Sequence, residues 1–144
     1  MNRDNAYYLD TNIIAYYLFD KNIDDNLDSR VLELLGNSSN FFYASYVAIK
    51  EIVHLLKRER IKLSYKQKDK TILNLLNEAC IIISPITEKH LITYETIHYE
   101  NGHNDPNDLL MIAQSISDKI PIISSDKYFK YYISQGLQLV FNKR

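Results

Sequence analysis

Short apolar runs alternate along the chain with longer segments whose apolar residues recur every three or four positions. Ala6-Tyr7-Tyr8-Leu9, running to Asp10, reads as a first strand, and Thr11 or Asn12 can cap a helix over Ile13 to Leu18. Residues 20–28 are polar and acidic and read as a loop. Val31, Leu32, Leu34 and Leu35 predict a short helix stopped at Gly36. Phe41-Phe42-Tyr43-Ala44 reads as a second strand, and Ser45 caps a long helix to about Arg60. Lys66 to Asn77 reads as a further helix. Ile81-Ile82-Ile83 is a third strand, ended by Ser84-Pro85, and Thr87 caps a helix through Tyr99. Gly102 to Asn107 reads as a loop and Pro106 to Asp118 as a helix with Pro in its first turn. Residues 120–124 form a fourth strand and Leu137 to Phe141 a fifth, with room between them for one short helix.

Strands that are almost wholly apolar and alternate with helices imply a parallel sheet covered on both faces, an α/β fold. The length, 144 residues, suits one domain spanning 1–144. Three glycines and three prolines leave no low-complexity linker. The N-terminus, Met1-Asn2-Arg3-Asp4-Asn5, lacks the apolar run of a signal peptide, and no stretch approaches membrane-spanning length. The single cysteine, Cys80, fits a reducing cytoplasm, and beside Ile81-Ile82-Ile83 it reads as a small buried hydrophobe.

Four acids share one kind of place in this pattern. Asp10 closes the first strand and Asp126 follows the fourth. Glu51 and Asp108 sit near the starts of strongly apolar helices. In an open parallel sheet, strand C-termini and the following helix N-termini line one edge, where ligands bind. Carboxylates about 4 Å apart repel by roughly 4 kcal/mol per pair at an effective dielectric near 20. Such a cluster calls for a cation, and all-oxygen donors select Mg²⁺ or Mn²⁺ over Zn²⁺. Each acid has a plainer reading: a rim glutamate reaching water, a helix-dipole partner, a capping residue or a turn residue. Asp105, before Pro106, is the natural cap of its helix, which leaves Asp108 available for another role.

At these residues the chain resembles the PIN-domain nucleases. Leu9-Asp10-Thr11-Asn12 is similar to their opening motif, and Ser45 followed by Glu51 to their second. Asn104-Asp105-Pro106-Asn107-Asp108 running into an apolar helix is similar to the third, and Ile122-Ile123-Ser124-Ser125-Asp126-Lys127-Tyr128-Phe129 to the fourth. The resemblance implies a three-layer α/β/α sandwich with a central parallel sheet of four to five strands. It implies an Mg²⁺- or Mn²⁺-dependent endoribonuclease acting on single strands, with Asp10, Glu51, Asp108 and Asp126 as catalytic metal ligands and Asn12 and Ser125 supporting them. Small stand-alone relatives of the VapC kind are toxins of toxin–antitoxin pairs and commonly dimeric, which implies a small antitoxin partner and a homodimer. The chain departs from the usual pattern at Leu109, where many relatives carry Arg, and at Asn107, where many carry an aromatic residue.

Other features leave readings open. The basic run Lys57-Arg58-Glu59-Arg60-Ile61-Lys62, continuing to Lys66, Lys68 and Lys70, suits a phosphate track or a solvated helix end. His103 reads as an exposed loop histidine or as a phosphate contact or proton donor beside the third motif. His54, His90 and His98 read as helix-surface residues. The twelve tyrosines suit packing, a protein interface or base stacking, and Tyr16 and Tyr17 are the candidates for dimer or antitoxin contact. Two other functions fit an α/β frame. A PIN-like module that binds RNA or protein without cleaving it would not need the full acidic quartet. A phospho-acceptor domain needs paired acids after strand one and an acceptor Asp after a middle strand, and here Ser84-Pro85 follows Ile81-Ile82-Ile83.

Overall fold

The structure, a computed structural model, describes residues 4–19 and 26–143. Five parallel strands form one sheet: β1 (Ala6–Leu9), β2 (Phe41–Ser45), β3 (Ile81–Ser84), β4 (Ile122–Ser124) and β5 (Leu139–Phe141). Their order is β3-β2-β1-β4-β5. The helices lying wholly within the described residues are α1 (Thr11–Phe19), α2 (Ser29–Gly36), α3 (Tyr46–Lys57), α4 (Ile72–Glu78), α5 (Glu88–Thr96) and α6 (Pro106–Asp118), with 3-10 turns at Tyr65–Gln67 and Lys127–Gln135. The first two crossovers step outward from β1 in one direction and the third returns past it. Because parallel crossovers are right-handed, this reversal puts helices on both faces and makes the three-layer α/β/α sandwich. It also creates a switch point between β1 and β4, where the strand order reverses.

The central strands are buried because both of their faces carry helices. Leu9, Ile122 and Ile123 are essentially inaccessible, and Ile13, Ile14, Ile52, Leu76, Ile112 and Phe129 join them in the core. Burying each such side chain contributes roughly 1.5–3 kcal/mol. A polar clamp crosses this core. The Tyr8 hydroxyl donates to Asp118 Oδ2 at 2.6 Å and meets Ser84 Oγ at 2.9 Å, while His90 Nε2 lies 2.9 Å from Asp118 Oδ1. It fastens β1 and β3 to α5 and α6, and burial pushes the Tyr8 phenol well above its ordinary range.

Several elements differ from the sequence expectation. The helix expected over Lys66–Asn77 is interrupted, because the Thr71 hydroxyl accepts from the Asn74 N–H at 3.1 Å and starts α4 afresh. The helix expected to reach Arg60 stops at Lys57, and Glu59 turns left-handed at φ 56°. The helix expected to reach Tyr99 ends at Thr96, with Ile97 extended. His90 is buried in the clamp rather than on a helix surface. Cys80 is exposed, not buried, since it takes the left-handed turn (φ 60°) that separates α4 from β3. The acidic loop expected at 20–28 lies outside the described residues over 20–25, as do Met1–Arg3 of the N-terminus.

Candidate functional site

Asp10 sits at the switch point, where β1 becomes α1. Its backbone carbonyl accepts the first helical bond from the Ile14 N–H at 3.1 Å, and its own N–H donates to Ile123 O of β4 at 3.0 Å. Its side chain is 4% exposed. Oδ1 accepts from the Thr11 N–H at 2.8 Å and Oδ2 from the Ser124 hydroxyl at 2.7 Å. Burial is the main reason its pKa is pushed up to about 7. The carboxylates of Asp108 and Glu51 push the same way, and the two hydrogen bonds oppose them.

Glu51 projects from the second turn of α3, after the Ser45 hydroxyl has capped that helix by accepting from the Val47 N–H at 3.1 Å. The Thr11 hydroxyl donates to Glu51 Oε1 at 3.1 Å. Burial raises the Glu51 carboxyl above its ordinary range, and Asp105 adds to the rise. Asp108 lies in the first turn of α6, whose cap is Asp105. Asp105 Oδ1 accepts from the Asn107 N–H at 2.9 Å and more weakly from the Asp108 N–H at 3.4 Å. Burial first, then Asp105, Asp126 and Glu51, push the Asp108 carboxyl up to about 8. Asp126 caps the 3-10 turn after β4, with Oδ1 accepting from the Tyr128 N–H at 2.9 Å.

The four acids singled out in the sequence are therefore close enough to perturb one another at one edge of the sheet. Among the described residues, neither Asn12 nor Ser125 makes a side-chain hydrogen bond to these carboxylates. Asn12 is exposed and lines a groove of about 1000 Å³ with Tyr16, Arg60 and Lys62. Ser125 accepts from Asn142 Nδ2 at 2.8 Å and so ties the chain end to the loop after β4. Their neighbours Thr11 and Ser124 make the contacts instead. Ser124 also accepts the Asp126 N–H at 3.0 Å, so one hydroxyl joins two of the acids.

His103 is a residue whose place the sequence did not fix. It is buried, not an exposed loop histidine. The Tyr132 hydroxyl accepts the Glu100 N–H at 3.2 Å and lies 2.6 Å from His103 Nδ1. On the other side of the ring, His103 Nε2 lies 3.0 Å from Asp108 Oδ2. The five-residue separation of His103 and Asp108 carries no helical or strand spacing, so no pattern in the sequence links them.

Among the described residues, one donor atom each from His103, Asp108 and Asp126 lies within 4.8 Å of the others. Carboxylate oxygens raised in pKa chiefly by burial, with mutual repulsion adding to it, and one imidazole nearby form a donor set that can hold a divalent cation.

Comparisons with known proteins agree with this architecture. No curated protein sequence matches the chain. Solved structures do. The VapBC2 complex of Rickettsia felis, bound to a DNA fragment from its promoter, has a chain that superposes with a TM-score of 0.68 at 20% identity, covering 96% of this chain and 99% of that one. A chain of VapBC-1 from nontypeable Haemophilus influenzae gives 0.65 at 22% identity, covering 94% and 97%. A chain of DNA-bound VapBC from Salmonella typhimurium gives 0.66 at 14% identity, again covering 94% and 97%. At these identities the likeness is one of fold. The PIN domain family model matches residues 7–133, which takes in Asp10, Glu51, Asp108 and Asp126, β1 from Tyr7 onward and all of β2, β3 and β4, and the chain belongs to the PIN domain family.

Proposed function

We propose that this protein is a divalent-metal-dependent endoribonuclease that hydrolyses phosphodiester bonds, and the toxin of a toxin–antitoxin pair. The observation that carries the reading is the convergence of Asp10, Glu51, Asp108 and Asp126 at the switch point, with two of these carboxyls held far above their ordinary pKa. A bound Mg²⁺ or Mn²⁺ supplies charge neutralisation at the phosphoryl oxygens and a more acidic water. Asp10, Asp108 and Asp126 are the residues to hold it, with Glu51 completing the acidic wall. Ser124 and the Thr11 N–H orient Asp10, and Thr11 Oγ1 orients Glu51. His103 Nε2, 3.0 Å from Asp108 Oδ2, holds that oxygen of Asp108 in place. The buried position of Asp10 limits competing water at that ligand.

The toxin assignment rests on the family and on fold relatives that are themselves chains of VapBC complexes. A small antitoxin that inserts an Arg or Lys among these carboxylates would neutralise them as a cation does. Among the described residues no helix is long and apolar enough to cross a membrane, and the proposal places the chain in the cytoplasm, as a homodimer. The test is cleavage of single-stranded RNA by purified protein with Mg²⁺ or Mn²⁺ and with EDTA. Metal-dependent fragments from the wild type, and none from Asp10→Asn, are expected. Expression of the chain alone should arrest growth, and co-expression of the neighbouring small gene should relieve the arrest. RNA binding without cleavage under every metal condition would instead favour a non-catalytic binding module.

A further inference from the structure

We propose that Tyr99, Tyr128 and Tyr131, grouped around His103, form a stacking subsite for an unpaired nucleobase beside the acidic pocket. The proposal rests on the reading of the protein as a nuclease of single-stranded RNA. The three rings are 44%, 43% and 47% exposed, while His103 is 6% exposed. His103 stacks on Tyr128 with ring centroids 4.9 Å apart and planes 18° from parallel. It meets Tyr99 edge-on at 6.1 Å, and Tyr128 lies 6.3 Å from Tyr131. A buried imidazole therefore backs an exposed phenol and holds it in place.

Two bonds tie this cluster to the acids. His103 Nε2 reaches Asp108 at 3.0 Å, and the Tyr128 N–H donates to Asp126 at 2.9 Å. The aromatic faces are thus adjacent to the candidate cation site and pre-ordered relative to it, which lowers the ordering cost of binding. An RNA strand brings both complements these neighbours need: flat bases for the rings and a phosphate for the cation. The exposed Lys127, between Asp126 and Tyr128, can meet a neighbouring phosphate. Stacking on tyrosine serves any base, so the subsite selects unpaired strands rather than a sequence. A protein partner would favour a contact centre depleted of charge. Here the rings carry hydroxyls and border carboxylates.

The chain contains no tryptophan, so Tyr128→Trp introduces a single indole reporter at the subsite. In EDTA, a ten-residue oligouridylate should quench its emission, and the same strand with abasic riboses should do so far less. Tyr128→Ala and Tyr131→Ala should each weaken oligouridylate binding roughly five- to hundred-fold, and in Mg²⁺ raise KM for cleavage more than they lower kcat. Tyr131 makes no ring contact with His103, so its variant separates stacking from disturbance of Asp108, and thermal melts establish that both variants fold. Equal quenching by abasic strands overturns the proposal, as does unchanged binding in both alanine variants. Unchanged RNA binding with loss of self-association in sedimentation also overturns it and assigns the patch to a second copy of the chain. If the wild type cleaves no RNA with either metal, the nuclease reading fails, and the binding measurements in EDTA still decide the subsite.

Discussion

Ser124 donates its hydroxyl proton to Asp10 Oδ2 at 2.7 Å across the junction of β1 and β4. Ser124 Oγ also accepts the Asp126 N–H at 3.0 Å, so the end of one strand sets both the orientation of Asp10 and the path of the chain into Asp126. Ser124→Ala leaves a buried carboxylate oxygen and a backbone N–H short of partners, a loss of about 1–3 kcal/mol. Denaturant unfolding of the variant should show a loss of that size, and its metal-dependent cleavage should fall. Stability and cleavage both at wild-type levels would show that the hydroxyl is dispensable.

Asp10→Asn should keep the fold and abolish cleavage. The amide preserves the shape and can still accept from the Thr11 N–H, but it is a poor ligand for a hard cation. Because Asp108 and Glu51 press on Asp10, removing its charge should raise the melting temperature of metal-free protein at pH 8. Calorimetry in EDTA reads the sign, and a lower melting temperature would mean that the lost hydrogen bonding outweighs the repulsion relieved.

Stability should depend on pH in the direction set by the raised carboxyls. Asp10 and Asp108 move from an ordinary 3.8 to about 7 and about 8 in the folded state. The folded protein thus binds these protons more tightly than the unfolded chain. The stabilisation is complete below about pH 4 and is lost as pH rises through 7 and 8. Metal-free protein should melt progressively lower across that interval. Mg²⁺ should restore more stability at pH 8.5 than at pH 6, since it competes with protons for the same oxygens. A flat melting profile between pH 5 and 8.5 in EDTA would contradict the coupling.

Tyr132→Phe removes the hydroxyl 2.6 Å from His103 Nδ1 and retains the ring in the core. A loss of about 1 kcal/mol is expected, together with slower cleavage, because His103 then loses the contact that fixes its ring beside Asp108. The readout specific to this role is the imidazole tautomer, observed by nitrogen NMR of His103 with and without the hydroxyl.

His90→Ala tests a structural role. It leaves Asp118 with one partner fewer and opens space between α5 and α6. Roughly 1–3 kcal/mol of stability should be lost, while KM for RNA stays at the wild-type value, because the clamp lies outside the acidic cluster. A selective rise in KM without loss of stability would place His90 in substrate binding.

The sequence by itself determined the fold class, since near-continuous apolar strands alternating with helices have no stable arrangement other than a covered parallel sheet. It also marked Asp10, Glu51, Asp108 and Asp126, because an acid at the end of an apolar strand or in an apolar helix stands out against its surroundings. The local breaks in the helices were less legible. Whether Thr71 caps a new helix or continues an old one depends on where α4 must start to reach β3. Tertiary structure alone decided which neighbours serve the acids. Asp10 meets Ser124 because Leu9 pairs with Ile123, a register between strands more than a hundred residues apart. Thr11 rather than Asn12 turns toward Glu51, since α1 buries Thr11 and leaves Asn12 exposed. His103 is buried against Asp108 only because Tyr132, from the turn after β4, closes over it. Hydrophobic period and residue type act locally and can be read along the chain, whereas these polar contacts arise between segments that meet only when the sheet is assembled.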